Sequence, residues 1–475
     1  MEKAATYFLN LFAQSAGRIC TFGANLFIFI LIARMWGTEL FGQYSYILTF
    51  LGVITAIADF GMTSVLGKDL AQVTDGKANY WGNYLFLRSM VCLVVIVPSV
   101  IAAYYIRQDL FIILMAGSLA LPFLASRFFE PFFQVYQQPW HSSYASVGYA
   151  LAYLLLSCTV VLYTKDLLML VVVYILANSI YLAMAMYLAY TSEKPRFEIE
   201  WTTIKDILKL AVPLGVSSLF TIVSSKAAIF ILAAMKSDHE VAIFNAAYKF
   251  LDLGAMLAVM LVSPIVPILS TMAMGKRENL RDNFADIMEI ISIFALPVAI
   301  VCPFISQMLI ELLYGNAFQE SAMALNILAW VGVLVLYSLF TEALAISIGV
   351  VNFALWSTAI AAVMNILLNY FLIPRYSFIG SAWAALICEI FLSGVTIVVI
   401  LKHVGNIFRW RSWAKIIILN LAMFLLLGLT GKVAIPFAWG GPLVFYILSV
   451  ILFKAIPPKA SGYFTKWRFR TPSVQ

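Results

Sequence analysis

The stretch AATYFLNLFAQSAGRICTFGANLFIFILIA, residues 4–33, decides the fold class. It is mostly apolar and longer than the roughly 20 residues that a helix needs to cross a bilayer. Five polar residues interrupt it: Asn10, Gln14, Arg18, Thr21 and Asn25. Wound at about 100° per residue, they fall within roughly an 80° arc of one helical face. An arginine inside a span costs about 2.5–3.5 kcal/mol even on the lenient insertion scale. Lipid rejects such a stripe. It must line a wet cavity that handles something polar and anionic, or form a hydrogen-bond ladder between helices with Arg18 paired to a buried carboxylate.

The rest of the chain matches that opening span. Hydrophobic residues make up 63% of the 475 positions and charged residues only 11%, with a mean hydropathy of +0.96. A soluble domain is nearer a quarter charged, so the chain reads as an all-α membrane protein throughout. Continuous rather than alternating apolar runs exclude a β-barrel. No cleavable leader is expected, because the first span is too long and no small-residue cleavage site follows it. The five cysteines, Cys20, Cys92, Cys158, Cys302 and Cys388, are scattered through apolar runs. No pair has metal-ligand spacing, so neither a disulfide framework nor a metal site is expected.

Apolar runs divided by polar or Gly/Pro breaks predict about fourteen transmembrane helices. Their expected limits are 4–33, 40–62, 84–106, 110–135, 143–164, 168–191 and 207–235 in the first part of the chain. In the remainder they are 241–264, 286–312, 321–348, 351–373, 379–401, 413–431 and 435–453. With the N-terminus inside, twenty Lys and Arg fall in inside segments and six in outside segments. Arg18, Arg127, Lys226 and Lys249 lie within spans. That asymmetry places both termini in the cytoplasm, and the net charge of +7 then needs no nucleic-acid partner. The longest connections, around 63–83 and 192–206, have only about 15–20 residues, too few for a soluble catalytic domain. This weighs against polymerases, ligases and glycosyltransferases, and no enzymatic activity is expected.

The chain repeats itself at an offset of 200 residues: Phe41-Gly42-Gln43-Tyr44-Ser45 matches Val241-Ala242-Ile243-Phe244-Asn245 in character. Six spans fit that offset, and an even number makes the halves parallel repeats. The expected organisation is a first lobe at 1–200 and a second at 201–405, six helices each, and transporters built so usually bind substrate between the halves. Two further helices and a basic tail occupy 406–475.

Several buried polar groups are candidates for chemistry. Asn245, Tyr248, Lys249 and Asp252 share one face of the eighth span. Lys249 and Asp252 either pair as a structural element or separate, Lys249 to bind an anion and Asp252 to take a proton. Lys226 lies about 15 Å of helix from Lys236, too deep to snorkel fully, and binds substrate or a buried partner. Arg127 and Glu130 share a face and form a structural pair. Asp59 caps or anchors the inner end of the second span. Glu342 and Glu389 are isolated acids, each a proton or sodium site or a counter-ion to a buried cation such as Arg18. The surplus of cations within these spans suits a cargo bearing phosphate.

Four segments carry a family resemblance. Ala33-Arg34-Met35-Trp36-Gly37-Thr38-Glu39-Leu40-Phe41-Gly42-Gln43-Tyr44 is followed by Ala58-Asp59-Phe60-Gly61-Met62. Ile310-Glu311-Leu312-Leu313-Tyr314-Gly315-Asn316-Ala317-Phe318 comes next, then Asn365 through Asn369-Tyr370-Phe371-Leu372-Ile373-Pro374 with Ile379-Gly380-Ser381-Ala382. In this order the chain resembles the polysaccharide-flippase branch of the MOP exporter superfamily, which includes the MATE drug exporters. The resemblance implies two six-helix lobes whose first, second, seventh and eighth spans line a cavity. It implies flipping of undecaprenyl-diphosphate-linked oligosaccharide across a bacterial inner membrane, driven by a proton or sodium gradient without a cofactor. Membrane lipid, a polysaccharide polymerase and other assembly proteins are the partners it implies. On this reading the five residues of the first stripe, with Lys226, Asn245, Tyr248 and Lys249, contact substrate, and Asp252, Glu342 or Glu389 couples to the cation. A MATE-like drug antiporter is the alternative. Two departures stand out: Lys226 falls where relatives often carry an acid, and Ala242 and Phe244 replace the Gly42 and Tyr44 of the first copy.

Overall fold

A computed structural model of the chain describes residues 2–73, 76–262, 265–274, 277–430 and 440–452, with side chains described from Ala16 onward except at 267, 277–278, 351–352, 354–355, 430, 440–441, 443 and 451. Every α or β element among them is α-helical. The helices are α1 (Glu2–Trp36), α2 (Thr38–Asp59), α3 (Met62–Gln72), α4 (Lys77–Ile106), α5 (Phe111–Leu119), α6 (Leu121–Leu124), α7 (Phe129–Val135), α8 (Pro139–Tyr163) and α9 (Leu167–Ser192). They continue as α10 (Trp201–Met235), α11 (Asp238–Val262), α12 (Ile265–Ala273), α13 (Arg277–Tyr314), α14 (Ser321–Ser347), α15 (Val351–Val404), α16 (Trp410–Thr430) and α17 (Gly440–Leu452).

Among the described residues eleven helices are long and apolar enough to cross a membrane, and one bent pair brings the number to twelve. The bent pair is the expected span 110–135, which turns by 61° between its 108–119 and 121–135 parts. Pro122 in the first turn of α6 contributes no N–H to a continuous ladder, which favours the break there. At 54 residues α15 would run about 81 Å if straight, far beyond a hydrocarbon core of about 30 Å. It doubles back instead. Ser377, after Pro374, has φ 50° and ψ −134°, and the Cys388 thiol donates to the Ala361 carbonyl at 3.7 Å. The two arms are the expected spans 351–373 and 379–401. With α17 in the place of the last expected span, the segments correspond to the fourteen read from the sequence.

By packing, the chain divides into two compact units, Met1–Asn245 and Ala246–Gln475. This division groups α10 with the helices it touches, α2, α3 and α4, and falls after Asn245, whereas the two expected six-helix lobes meet at residue 200.

In the first unit α1 and α8 lie side by side and run in the same direction. Gly17 sits against Ser143, so close that a Cβ on it would lie 3.0 Å from the Ser143 Cα. Tyr149 donates to Asn25 at 3.3 Å, and the Trp36 indole donates to the Val161 carbonyl at 3.0 Å. The two helices are the first and fifth spans, and two odd-numbered spans must run alike. The second span breaks at Phe60 and Gly61, both with positive φ, at 42° and 76°. Gly215 of α10 approaches this break: a Cβ on Gly61 would lie 2.6 Å from the Gly215 nitrogen. At the other ends of the helices, Arg107 binds both oxygens of Asp238 at 2.9 and 3.0 Å and both oxygens of Asp109 at 2.9 and 2.6 Å. The hydrogen bonds to Asp109, against the opposing effect of burial and with the help of Asp238, push the guanidinium pKa upward. His239 and Thr38 hydrogen-bond at 2.9 Å beside this clamp.

The second unit obeys the same parity. Ser292 with Tyr337 at 2.8 Å and Cys302 with the Leu325 carbonyl at 3.7 Å make α13 and α14 antiparallel. Ser338 with Ser393 at 2.9 Å and Thr341 with Thr396 at 3.0 Å make α14 parallel to the second arm of α15. Tyr446 of α17 donates to the Ile293 carbonyl at 2.9 Å, fastening the last helix to α13.

Gly61→Ala is expected to lower the melting temperature of the detergent-purified protein by several degrees, a loss of about 1–3 kcal/mol. Gly52→Ala, where a Cβ meets nothing within 4 Å, serves as the control. Equal melting temperatures for the two variants would contradict the close approach of α10.

Candidate functional site

Arg18 and Asn25 of the α1 stripe meet other segments of the protein. Asn10 and Gln14 lie outside the residues whose side chains are described. Further along, Thr21 returns its hydroxyl to the Gly17 carbonyl at 3.0 Å, and Asn25 donates to the Thr21 carbonyl at 2.7 Å. The Asn25 carbonyl oxygen accepts from Tyr149 of α8. Arg18 reaches α7, where its Nη2 lies 3.0 Å from Glu130 Oε2. The sequence offered Glu342 or Glu389 for this role; the bend in the fourth span supplies Glu130 instead.

Glu130 serves two arginines. Its other oxygen, Oε1, lies 3.8 Å from Arg127 Nη1, one helical turn away. Arg127 also donates to Ser146 at 3.3 Å and stacks over Tyr181 and Tyr149, 4.4 and 5.3 Å from the ring centroids. Aromatic faces and a hydroxyl thus hold this guanidinium in one orientation. The cluster carries two positive charges and one negative. It is open: 42% of the Arg18 side chain, 37% of Arg127 and 19% of Glu130 remain accessible.

The second charged pair in this unit is of another kind. Asp59 accepts from Thr63 and lies 2.5 Å from Arg88 Nη1. Arg88 donates as well to the Ala125 carbonyl at 3.0 Å and covers the Phe128 ring at 5.1 Å. Only 6% of its side chain is accessible. Arg88 is one of the twenty charges counted with the inside segments, although it falls just within the expected span 84–106; in the structure it is buried in α4. Lys226 is part-buried in α10, just before the buried Ala227, Ala228 and Ile229. Around it Ser218, Thr221 and Ser225 bond their own helix carbonyls. Asn245 is buried near the start of α11.

In the second unit Lys249 and Asp252 lie 3.5 Å apart, one turn along α11. Glu389 accepts from Ser338 at 3.2 Å, and Ser338 is bonded in turn to Ser393. Glu342 is part-buried on α14 and lies within electrostatic range of Glu389, which also interacts with Tyr248. These acids therefore form one neighbourhood with two hydroxyls, which sequence spacing alone does not reveal. A further cluster was not singled out from the sequence. Asp282, Asp286 and Glu289 follow helical spacing on one face of α13, and Arg409 closes on all three. The spacing at four and three residues was the available signal. Among the described residues no group of three or more His, Cys, Asp or Glu has the geometry to hold a metal ion.

The sequence family described as "Polysaccharide biosynthesis protein" matches residues 9–273. No curated protein matches the sequence. Solved structures do match the fold. The lipid II flippase MurJ, in an inward closed conformation, aligns with a TM-score of 0.77 at 15% identity, covering 93% of this chain and 98% of its own. An inward-facing multidrug resistance MATE transporter of the MOP superfamily aligns with a TM-score of 0.67 at 16% identity, covering 84% and 98%. A MOP superfamily transporter from Pyrococcus furiosus aligns with a TM-score of 0.57 at 16% identity, covering 84% and 95%. At these identities the likeness establishes the shared MOP fold.

Burial separates the two arginine pairs energetically. Arg88→Met leaves a carboxylate and a carbonyl without their partner and is expected to cost about 3–5 kcal/mol of stability. Arg18→Met removes an accessible charge and is expected to cost less than about 1 kcal/mol. Thermal unfolding of the two variants in the same detergent checks the order, and a larger loss for Arg18→Met would reverse it.

Proposed function

Because the chain belongs to the polysaccharide biosynthesis protein family, we propose that it is a flippase for undecaprenyl-diphosphate-linked oligosaccharide. It carries these units from the cytoplasmic to the outer leaflet of a bacterial inner membrane for surface polysaccharide assembly. The observation that carries this reading is the accessible excess of guanidinium over carboxylate at Arg18, Arg127 and Glu130. A phosphate-bearing headgroup needs fixed positive charge, and arginine supplies it in planar pairs of donors. The fold shared with a lipid II flippase supports a lipid-linked cargo. The Lys and Arg distribution supports cytoplasmic termini.

Transport against a gradient needs an energy source, and we assign it to cation entry at the acids of the second unit. Glu389, with Ser338 beside it, Glu342 and Asp252 are the residues for this step. A carboxylate among hydroxyls suits a proton or a sodium ion, both of which bind oxygen donors. Lys249 holds Asp252 in the resting pair and exchanges that partner during the cycle. A polysaccharide polymerase and other assembly proteins receive the flipped unit.

Arg18→Ala, expressed at the normal level, is expected to abolish surface glycan in a complemented deletion strain. Full retention would remove Arg18 from the substrate path. Glu389→Gln is expected to leave the protein folded but to make flipping in proteoliposomes insensitive to an imposed proton or sodium gradient. Gradient-driven export of cationic drugs by the purified protein, with no effect on glycan, would favour the MATE-like reading instead.

A further inference from the structure

Three ion-pair clusters in the first unit differ in charge balance and access. Arg107 faces two carboxylates, Asp109 and Asp238, so its clamp has no positive charge to spare. Arg88 and Asp59 are balanced, and Arg88 is sealed. At Glu130 alone among these three do two arginines share one carboxylate in an accessible place. The carboxylate bridges them, Oε2 to Arg18 on α1 and Oε1 to Arg127 beside α7. Bridging of two guanidinium groups by separate oxygens of one oxyanion is also how a phosphate or diphosphate binds paired arginines.

We propose that Glu130 is an internal occupant of a diphosphate seat formed by Arg18 and Arg127, which the cargo's diphosphate displaces and to which Glu130 returns on release. The assignment to cargo rests on the flippase reading; the seat itself does not. A diphosphate brings more oxygens and more charge than one carboxylate, so it outcompetes Glu130 for two cations. Arg127 stays oriented throughout, because Ser146, Tyr149 and Tyr181 hold it independently of Glu130. Glu130 is partly accessible already, so its displacement does not leave a sealed, unpaired carboxylate. The same carboxylate then lowers the affinity of the seat, which a carrier needs in order to let go of a highly charged headgroup.

Depth fits that role. Arg18 precedes the end of α1 at Trp36 by eighteen residues, about 27 Å of helix against a hydrocarbon thickness of about 30 Å. Ser146 lies a similar distance, about 25 Å, before the end of the parallel α8 at Tyr163. The seat is therefore near the membrane face opposite Trp36. With the N-terminus inside, that is the level of diphosphate headgroups in the cytoplasmic leaflet.

The test is binding of inorganic pyrophosphate and of farnesyl diphosphate to the full-length protein in detergent, by microscale thermophoresis. Glu130→Gln removes the competing charge and is expected to tighten pyrophosphate binding about tenfold, with Arg127→Gln weakening it by a similar factor. Adding Arg127→Gln to Glu130→Gln should cancel the gain. Tighter binding of farnesyl diphosphate than of pyrophosphate identifies a lipid-borne group as the ligand, and equal binding identifies the free diphosphate; both support the seat. Unchanged or weaker pyrophosphate binding by a Glu130→Gln protein that melts normally overturns it. If that variant does not fold, Glu130→Asp, too short to bridge both arginines, must still tighten binding at least twofold, and no gain overturns the proposal. Surface glycan is scored separately: a Glu130→Gln gain in binding alongside full glycan in cells that lack the protein would sink the flippase reading and leave the seat standing.

Discussion

Charge placed inside hydrocarbon must meet opposite charge or water, and the helix arrangement follows from how each charge is met. Arg88 is met by Asp59 and a carbonyl, out of reach of water. That pair ties the C-terminal end of α2 to α4 and to the bend of the fourth span. Arg107 is met by two carboxylates from two connections, which gathers three helix ends. Arg18 and Arg127 are met by half as many carboxylates as they need, and remain accessible. The first two arrangements build the unit. The third leaves it with positive charge in excess.

The fold was legible because the bilayer imposes a length on every span, and apolar runs record that length directly. Even the doubling back of α15 was visible, as the polar and proline-bearing break at 374–378. The bend of the fourth span was not anticipated, although Pro122 and Pro131 stand in it, because hydropathy is blind to direction. That one omission hid the partner of Arg18. A straight helix gives no reason to bring Glu130 to the first span, so distant acids had to be considered.

Candidate residues were found more readily than their partners. Helical spacing identified the face of Arg18, Thr21 and Asn25, the Lys249–Asp252 pair and the Arg127–Glu130 pair, since each lies within one helix or adjacent turns. Contacts between segments more than a hundred residues apart, such as Arg18 with Glu130 or Asn25 with Tyr149, leave no periodic trace. Arg88 shows a related failure: a loop charge and a buried charge look identical when a span's limit is uncertain by a turn.

The parallel alignment of α1 and α8 acts as a ruler. Its marks are Gly17 against Ser143 at one end and Trp36 against Val161 at the other. Between those marks α1 advances nineteen residues and α8 eighteen, so the two helices keep pace to within one residue. One residue inserted after Arg18 would turn the first stripe by about 100° and slide it by about 1.5 Å while Trp36 stayed in place. Such an insertion would alter neither hydropathy nor span count, yet it would swing Arg18 away from Glu130. Spacing within this span thus matters as much as composition, and a length change that keeps Arg18 on Glu130 has to fall outside the two marks.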